Sequence, residues 1–213
     1  MLKTRPQSPK MAMLAEVKKI AVPKSKPKRL PNKALRAREY LTIHEVEALR
    51  KAAKSIGRHG HRDDTLVLMM FRHALRVSEA ISLRWEQVDL KLGLLHVRRV
   101  KNGIPSTHPL RGLELRALRQ LKRESANFSY VFFSERGAPL AARTVHHIVA
   151  RAGKLAKLFA VHPHMLRHST GFYLANEGQD TRAIQSYMGH ANINNTIRYT
   201  ELSPNRFNKF WKD

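Results

Sequence analysis

Five prolines (Pro6, Pro9, Pro23, Pro27 and Pro31) and twelve basic residues crowd the first 38 positions, against a single acid, Glu16. Each proline fixes φ and withholds a backbone donor, so regular structure is discouraged along the whole stretch. A one-signed charge of about +11 without apolar periodicity gives this stretch no core to join. Residues 1–38 are therefore expected to form a flexible basic arm, and residues 39–213 a single folded domain. The folded part is long enough to bury a sizeable core.

The charge says what kind of partner to look for. The chain carries 40 Lys+Arg against 16 Asp+Glu, a formal net charge of +24. A polyanion such as double-stranded DNA is the leading explanation for that excess, and an acidic membrane is the rival. The longest apolar run, Leu66-Val67-Leu68-Met69-Met70-Phe71, is far short of the ~20 residues that span a bilayer. No secretory signal is expected, because Glu16, Lys18 and Lys19 break the only apolar patch near the N-terminus. The chain has no cysteine, which excludes disulfides and thiolate metal sites and suits a reducing, cytoplasmic setting.

From Glu39 the pattern turns globular. Thr42-Ile43-His44-Glu45 reads as a capping box that opens a helix striped by Ile43, Val46 and Leu49 and closed by Gly57. A loop with His59, Gly60 and His61 precedes a hydrophobic core helix from Asp64 to about Ala74, and a short helix runs from Ser78 to Leu83. Val88 to Leu90, Leu94 to Val100 and Ile104 to Leu110 read as strands, the last two joined by an Asn102-Gly103 hairpin turn. Leu113, Leu115, Leu118 and Leu121 mark an amphipathic helix, Tyr130 to Phe133 a buried extended run, and Ala141 to about Lys157 another helix. Pro163 is a natural helix opener, Asp180 an N-cap, and Gly189 a helix stop that leaves His190 on a fixed turn. The fold class is mixed α/β, mainly helical, with a small antiparallel sheet bearing a β-hairpin.

Chemistry concentrates between His164 and Tyr199. His164 and Arg167 sit three apart on one helix face, His190 follows Gly189, and Tyr199 comes nine residues later. Two imidazoles, a guanidinium and a phenol suit attack on a phosphodiester: they supply a nucleophile, a proton acceptor and donors for the charge developing on phosphorus. A zinc reading fails on composition. His164 and His168 have the i, i+4 spacing of a metal pair, but Met165 stands where a zincin needs Glu, and no third ligand is evident. Neither a metal nor any other cofactor is expected.

The ordered set His164-x-x-Arg167, Gly189-His190 and Tyr199 resembles the catalytic domain of the tyrosine recombinase (phage integrase) family. The wording His162-Pro163-His164-Met165-Leu166-Arg167-His168-Ser169 is most similar to its short members, the invertases that flip fimbrial promoter switches. His73-Ala74-Leu75-Arg76-Val77-Ser78-Glu79 resembles the family's first box, so Arg76 is implied to grip the scissile phosphate and Glu79 to buttress it; position alone suggests only an Arg76–Glu79 surface ion pair. Arg167 resembles the second such arginine. Lys101, at the hairpin tip, resembles the family lysine that protonates the departing 5′ oxygen. Arg98 and Arg99, just before it, should point to opposite faces. His164 resembles the general base, His190 the histidine bonding a non-bridging oxygen, and Tyr199 the nucleophile; His162 and His168 are left as structural, and Tyr173 and Tyr187 as core residues.

The resemblance implies site-specific recombination through a 3′-phosphotyrosyl intermediate, without ATP or metal. It implies a homotetramer on double-stranded DNA carrying specific recombination sites, with accessory DNA-bending proteins as candidate helpers. The tail residues Phe207, Phe210 and Trp211 are candidates for docking on a neighbouring protomer. Larger family members carry a helical clamp domain ahead of the catalytic one, a position that here holds only the basic arm. Two alternatives stay open, a type IB topoisomerase-like relaxing enzyme and a non-catalytic DNA-binding regulator.

Overall fold

The computed structural model describes residues 39–100, 103–124, 128–201, 203 and 207. The expected arm, Lys101 at the hairpin tip, and Phe210 and Trp211 lie outside the described residues. Among the described residues, eight α-helices and one sheet form in the order α1 (Ile43–Ser55), α2 (Gly60–Arg72), α3 (Val77–Ile81), β1 (Val88–Asp89), β2 (Leu94–Val97), β3 (Ser106–Pro109), α4 (Gly112–Glu124), α5 (Ala142–Leu155), α6 (Pro163–Asn176), α7 (Thr181–Met188) and α8 (Asn194–Glu201). This is the mixed, mainly helical arrangement with a small antiparallel sheet that the sequence implies.

Local signals set several helix ends. Thr42 Oγ1 accepts from the Glu45 amide at 3.3 Å, and Glu45 Oε2 accepts from the Thr42 amide at 2.8 Å, completing the capping box of α1. Asp180 accepts from the Arg182 and Ala183 amides to start α7, and Gly189 ends it at φ 65°, ψ 41°. Pro163 opens α6. α2 begins earlier than expected, at Gly60 rather than Asp64. Its extra turn is held from outside: Arg62 donates to Asp63 and to the Phe133 carbonyl, and Arg50 of α1 donates to Asp64.

The core lies where α1, α2, α5 and α6 meet, around Leu49, Leu66, Met69, Met70, Val145, Val149 and Leu166, with Leu118, Leu121 and Phe132 closing it. Strands β1, β2 and β3 pair antiparallel in that order, with Val88 opposite Leu95 and Leu95 opposite His108. Pairing between β2 and β3 ends at Val97 and Ser106, short of the expected Val100 and Ile104. The run Tyr130 to Phe133, expected as a buried extended run, is buried at Val131 and Phe132 but bends there and makes isolated bridges, Arg84 with Tyr130 and Phe133 with Pro139. A smaller cluster of Ala74, Ala175, Ile184, Met188 and Tyr199 joins the α2–α3 turn to α6, α7 and α8. Among the described residues, no helix is long and apolar enough to cross a membrane.

Candidate active site

The site is built on the turn between α2 and α3. Ala74 adopts φ 51° there, a left-handed conformation that costs a residue with a Cβ roughly 1–3 kcal/mol. That backbone aims its carbonyl at two guanidiniums, Arg99 Nη1 at 3.3 Å and Arg167 Nη1. Two residues on, Arg76 stands at the N-cap of α3, and Glu79 one turn later gathers the local donors. Its carboxylate accepts from the Arg76 amide (2.9 Å), Arg76 Nη1 (2.7 Å), Arg99 Nη1 (2.9 Å) and the Val100 amide (3.4 Å). Burial opposes the charge on Glu79, but the Arg76 hydrogen bonds and the Arg99 and Arg76 charges prevail and hold its carboxyl below the usual value.

Arg99 had no assigned role beyond strand alternation. The alternation itself holds: the Arg98 side chain is 74% exposed, that of Arg99 fully buried. Arg99 Nη2 also donates to the carbonyls of His73 and Tyr187, so one buried guanidinium ties the base of the hairpin to the α2–α3 turn and to α7. This inward turn draws the chain off the β2–β3 ladder and explains why pairing stops early. Gly189 is part of the same joint, because a Cβ there would lie 2.6 Å from Arg99 Cγ and 2.7 Å from the Ile104 carbonyl oxygen.

Helix α6 delivers the second arginine. Arg167 is only 2% exposed, and its Nη2 donates to the Met188 carbonyl at 2.7 Å. Burial, then Arg76 and Arg99, lower its pKa to about 9, which leaves it cationic at neutral pH. His164 lies one turn earlier with an exposed ring. Partial desolvation and then the Arg167, Arg76 and Arg198 charges keep it neutral more readily than a free imidazole. His190, buried after Gly189, shares a proton with Thr196 Oγ1 at 2.8 Å, and burial followed by Arg167 and Arg76 lowers its pKa to about 4.

Tyr199 on α8 is 4% exposed. Its ring lies nearly parallel to that of His190, with centroids 6.4 Å apart, and Arg198 sits 5.9 Å from the ring. The ring also lies against Gly171 of α6, where a Cβ would approach three ring carbons to 2.7–2.8 Å. Burial raises the phenol pKa, against the pull of Arg167 and Arg198. The hydroxyl meets His168, whose Nδ1 is 2.8 Å away.

Arg76, His164, Arg167, His190 and Tyr199 therefore come together, each within range of others' charges. Lys101 is not among the described residues. His168, left as structural, hydrogen-bonds the phenol oxygen. The signal that could have found it is spacing: residues 164, 168 and 171 share one helix face, so whatever packs on Gly171 also meets His168. Tyr173, expected in the core, is 38% exposed, and Tyr187 is half-buried because it stacks on His108 at 3.8 Å rather than entering the core. Phe207 is exposed.

A mainly helical domain that brings arginines, imidazoles and one buried tyrosine close to one another has the parts for phosphodiester transesterification through a phenol. Residues 39–206 match the model of the phage integrase family, and the chain belongs to that family, the tyrosine recombinases. It is 40% identical over 182 residues to the type 1 fimbriae regulatory protein FimE of Escherichia coli (strain K12), a match covering 82% of this chain and 91% of that relative. Over 180 residues it is 42% identical to FimB of the same strain, covering 82% and 90%. Among solved structures it resembles the XerA recombinase crystal structure, with a TM-score of 0.69 and 27% identity over 85% of this chain and 67% of that one.

Proposed function

We propose that this enzyme is a site-specific DNA recombinase that cuts and rejoins double-stranded DNA through a 3′-phosphotyrosyl link, with inversion of a DNA segment as its outcome. The observation that carries the reading is the seating of the Tyr199 hydroxyl beside an imidazole, within the field of Arg76, Arg167 and Arg198. The likeness to the fimbrial regulatory proteins supports inversion.

In this reaction the Tyr199 oxygen attacks phosphorus, the bond from phosphorus to the 5′ oxygen breaks, and the phenol proton passes to an α6 imidazole. Lys101 returns a proton to the departing 5′ oxygen, because an alkoxide leaves poorly. Arg76, Arg167 and His190 neutralise the added charge on the non-bridging oxygens. The link conserves bond energy, so the freed 5′-hydroxyl of a partner strand reverses the step without ATP. Burial, and after it the charges of neighbouring arginines, depress the pKa values of Arg167, His164 and His190, and a bound phosphate would offset that positive field. Residues 1–38 act as a basic arm that adds affinity for DNA. The working assembly is a homotetramer on two recombination sites, helped by accessory DNA-bending proteins, in the nucleoid of the cytoplasm.

The test is a nicked suicide substrate carrying the cognate site, in excess EDTA. The parent should form an SDS-resistant adduct, and Tyr199→Phe should bind the DNA equally well and form none. An adduct in that variant, or one that requires added magnesium or zinc, would sink the proposal. Relaxation of plasmid lacking any site would point to topoisomerase-like action instead.

A further inference from the structure

We infer that His168, not His164, is the base that takes the proton from Tyr199. The inference rests on the proposed role of Tyr199 as nucleophile and adds the identity of its proton acceptor. His168 Nδ1 lies 2.8 Å from the phenol oxygen, a direct hydrogen bond to the reacting atom. The His164 ring instead stands edge-on to His168, at 4.5 Å between centroids and 84° between planes.

The backbone around His168 is fixed on every side. Arg167 is bonded to two carbonyls, Ser169 Oγ accepts from the Leu41 amide at 2.7 Å, Thr170 Oγ1 donates to the Phe71 carbonyl, and Gly171 abuts the Tyr199 ring. A base held this rigidly against its proton donor needs no rearrangement to act.

The role as base requires one tautomer. For the buried, protonated phenol to give up its proton along this bond, Nδ1 must accept and the ring proton of His168 must sit on Nε2. When Tyr199 attacks, its proton moves along this bond to Nδ1, the imidazole becomes imidazolium, and the phenol oxygen gains the pair that forms the bond to phosphorus. The groups facing His168 are His164 and His162 at the start of α6, Tyr199 and Arg198 of α8, Glu39 ahead of α1, and His190 after α7. Apart from Glu39 these neighbours are cationic or neutral, so the negative charge of a bound phosphodiester makes His168 more basic. The base strengthens when DNA arrives.

The experiment compares single-turnover adduct formation by the parent, His168→Asn, His168→Ala and His164→Ala across a pH series, with DNA affinity measured in parallel. An Asn Oδ1 can replace Nδ1 as acceptor but cannot carry the proton away. Both His168 variants should bind DNA like the parent, form adduct about 10²–10⁴-fold more slowly, and lose the acid limb of the rate profile. Added imidazole should restore adduct formation in His168→Ala, and His164→Ala should keep the acid limb. The inference is overturned if His168→Asn cleaves at the parental rate with its acid limb intact, or if His164→Ala is the variant that loses the limb. An adduct in Tyr199→Phe would overturn instead the reading of Tyr199 on which it rests.

Discussion

Gly171 sits in the middle of α6, where glycine is a poor helix former by about 1 kcal/mol relative to alanine. The Tyr199 ring explains it, since any Cβ at 171 would press into the ring. Gly171→Ala should leave DNA binding intact but lower adduct formation at least tenfold, because the phenol is pushed from His168. The same change in a Tyr199→Ala background should stabilise the protein by about 1 kcal/mol, the ordinary helix-propensity gain. A double-mutant cycle from denaturation curves checks this, and equal stability effects in both backgrounds would mean that the ring does not rest on Gly171. Residues such as Arg76, Arg167 and Tyr199 were legible because their types and order are distinctive. Arg99 and His168 were not, because an arginine near a hairpin and a histidine after an arginine have many ordinary uses, and only packing shows which carbonyl or hydroxyl they meet.

Helix ends with a local cause, such as Thr42 with Glu45, Asp180 and Gly189, could be read from the sequence. The early start of α2 and the short β2–β3 ladder could not, because residues distant in sequence set them: Arg50 and Phe133 for α2, Glu79 and Tyr187 for the turn of Arg99. A second long-range joint ties these elements. His73 at the end of α2 shares a proton between Nδ1 atoms with His108 of β3 at 3.1 Å, and its Nε2 lies 2.9 Å from Glu114 of α4 in a poorly aligned contact. Two charged rings would set N–H against N–H, so the joint needs at least one neutral imidazole. Burial, then the charges of His73 and Arg99, lowers His108 to about 3, and burial lowers His73 despite Glu114. As pH falls from about 6.5, the unfolded chain takes up protons that these folded histidines refuse, so stability is complete above that value and declines below it. The decline should approach about 1.4 kcal/mol per pH unit for each such group within its window. Urea midpoints measured from about pH 7 down to about pH 5, above the carboxylate range, should fall in the parent and fall less steeply, by about one proton, in His108→Gln. An identical slope would mean that His108 is not held neutral by the fold.

At the scale of the whole molecule, the charge of +24 is the clearest sign of a polyanionic partner, and it is unevenly spread. Residues 1–38 carry about +11 of it, and a little over half remains in the part that holds the site. The sequence shows this uneven spread plainly because proline content and one-signed charge are read from composition alone. If the arm's work is to neutralise phosphates, it should supply affinity rather than fold or chemistry. Each phosphate neutralised adds about 0.9 to the log–log salt slope of duplex binding. Only some of the twelve cations can reach phosphates at once, so deleting residues 1–36 should lower that slope by roughly three to six. Thermal stability should hardly change, because Thr42 and Glu45 still cap α1 and Leu41 still bonds Ser169. Titrating both proteins across a salt series, on cognate and random duplexes, reads the effect directly. Affinities should differ most at low salt and converge as salt rises, equally on both duplexes. An unchanged slope would make the arm a spectator or a protein-binding segment, and a loss confined to the cognate duplex would mean that it reads bases.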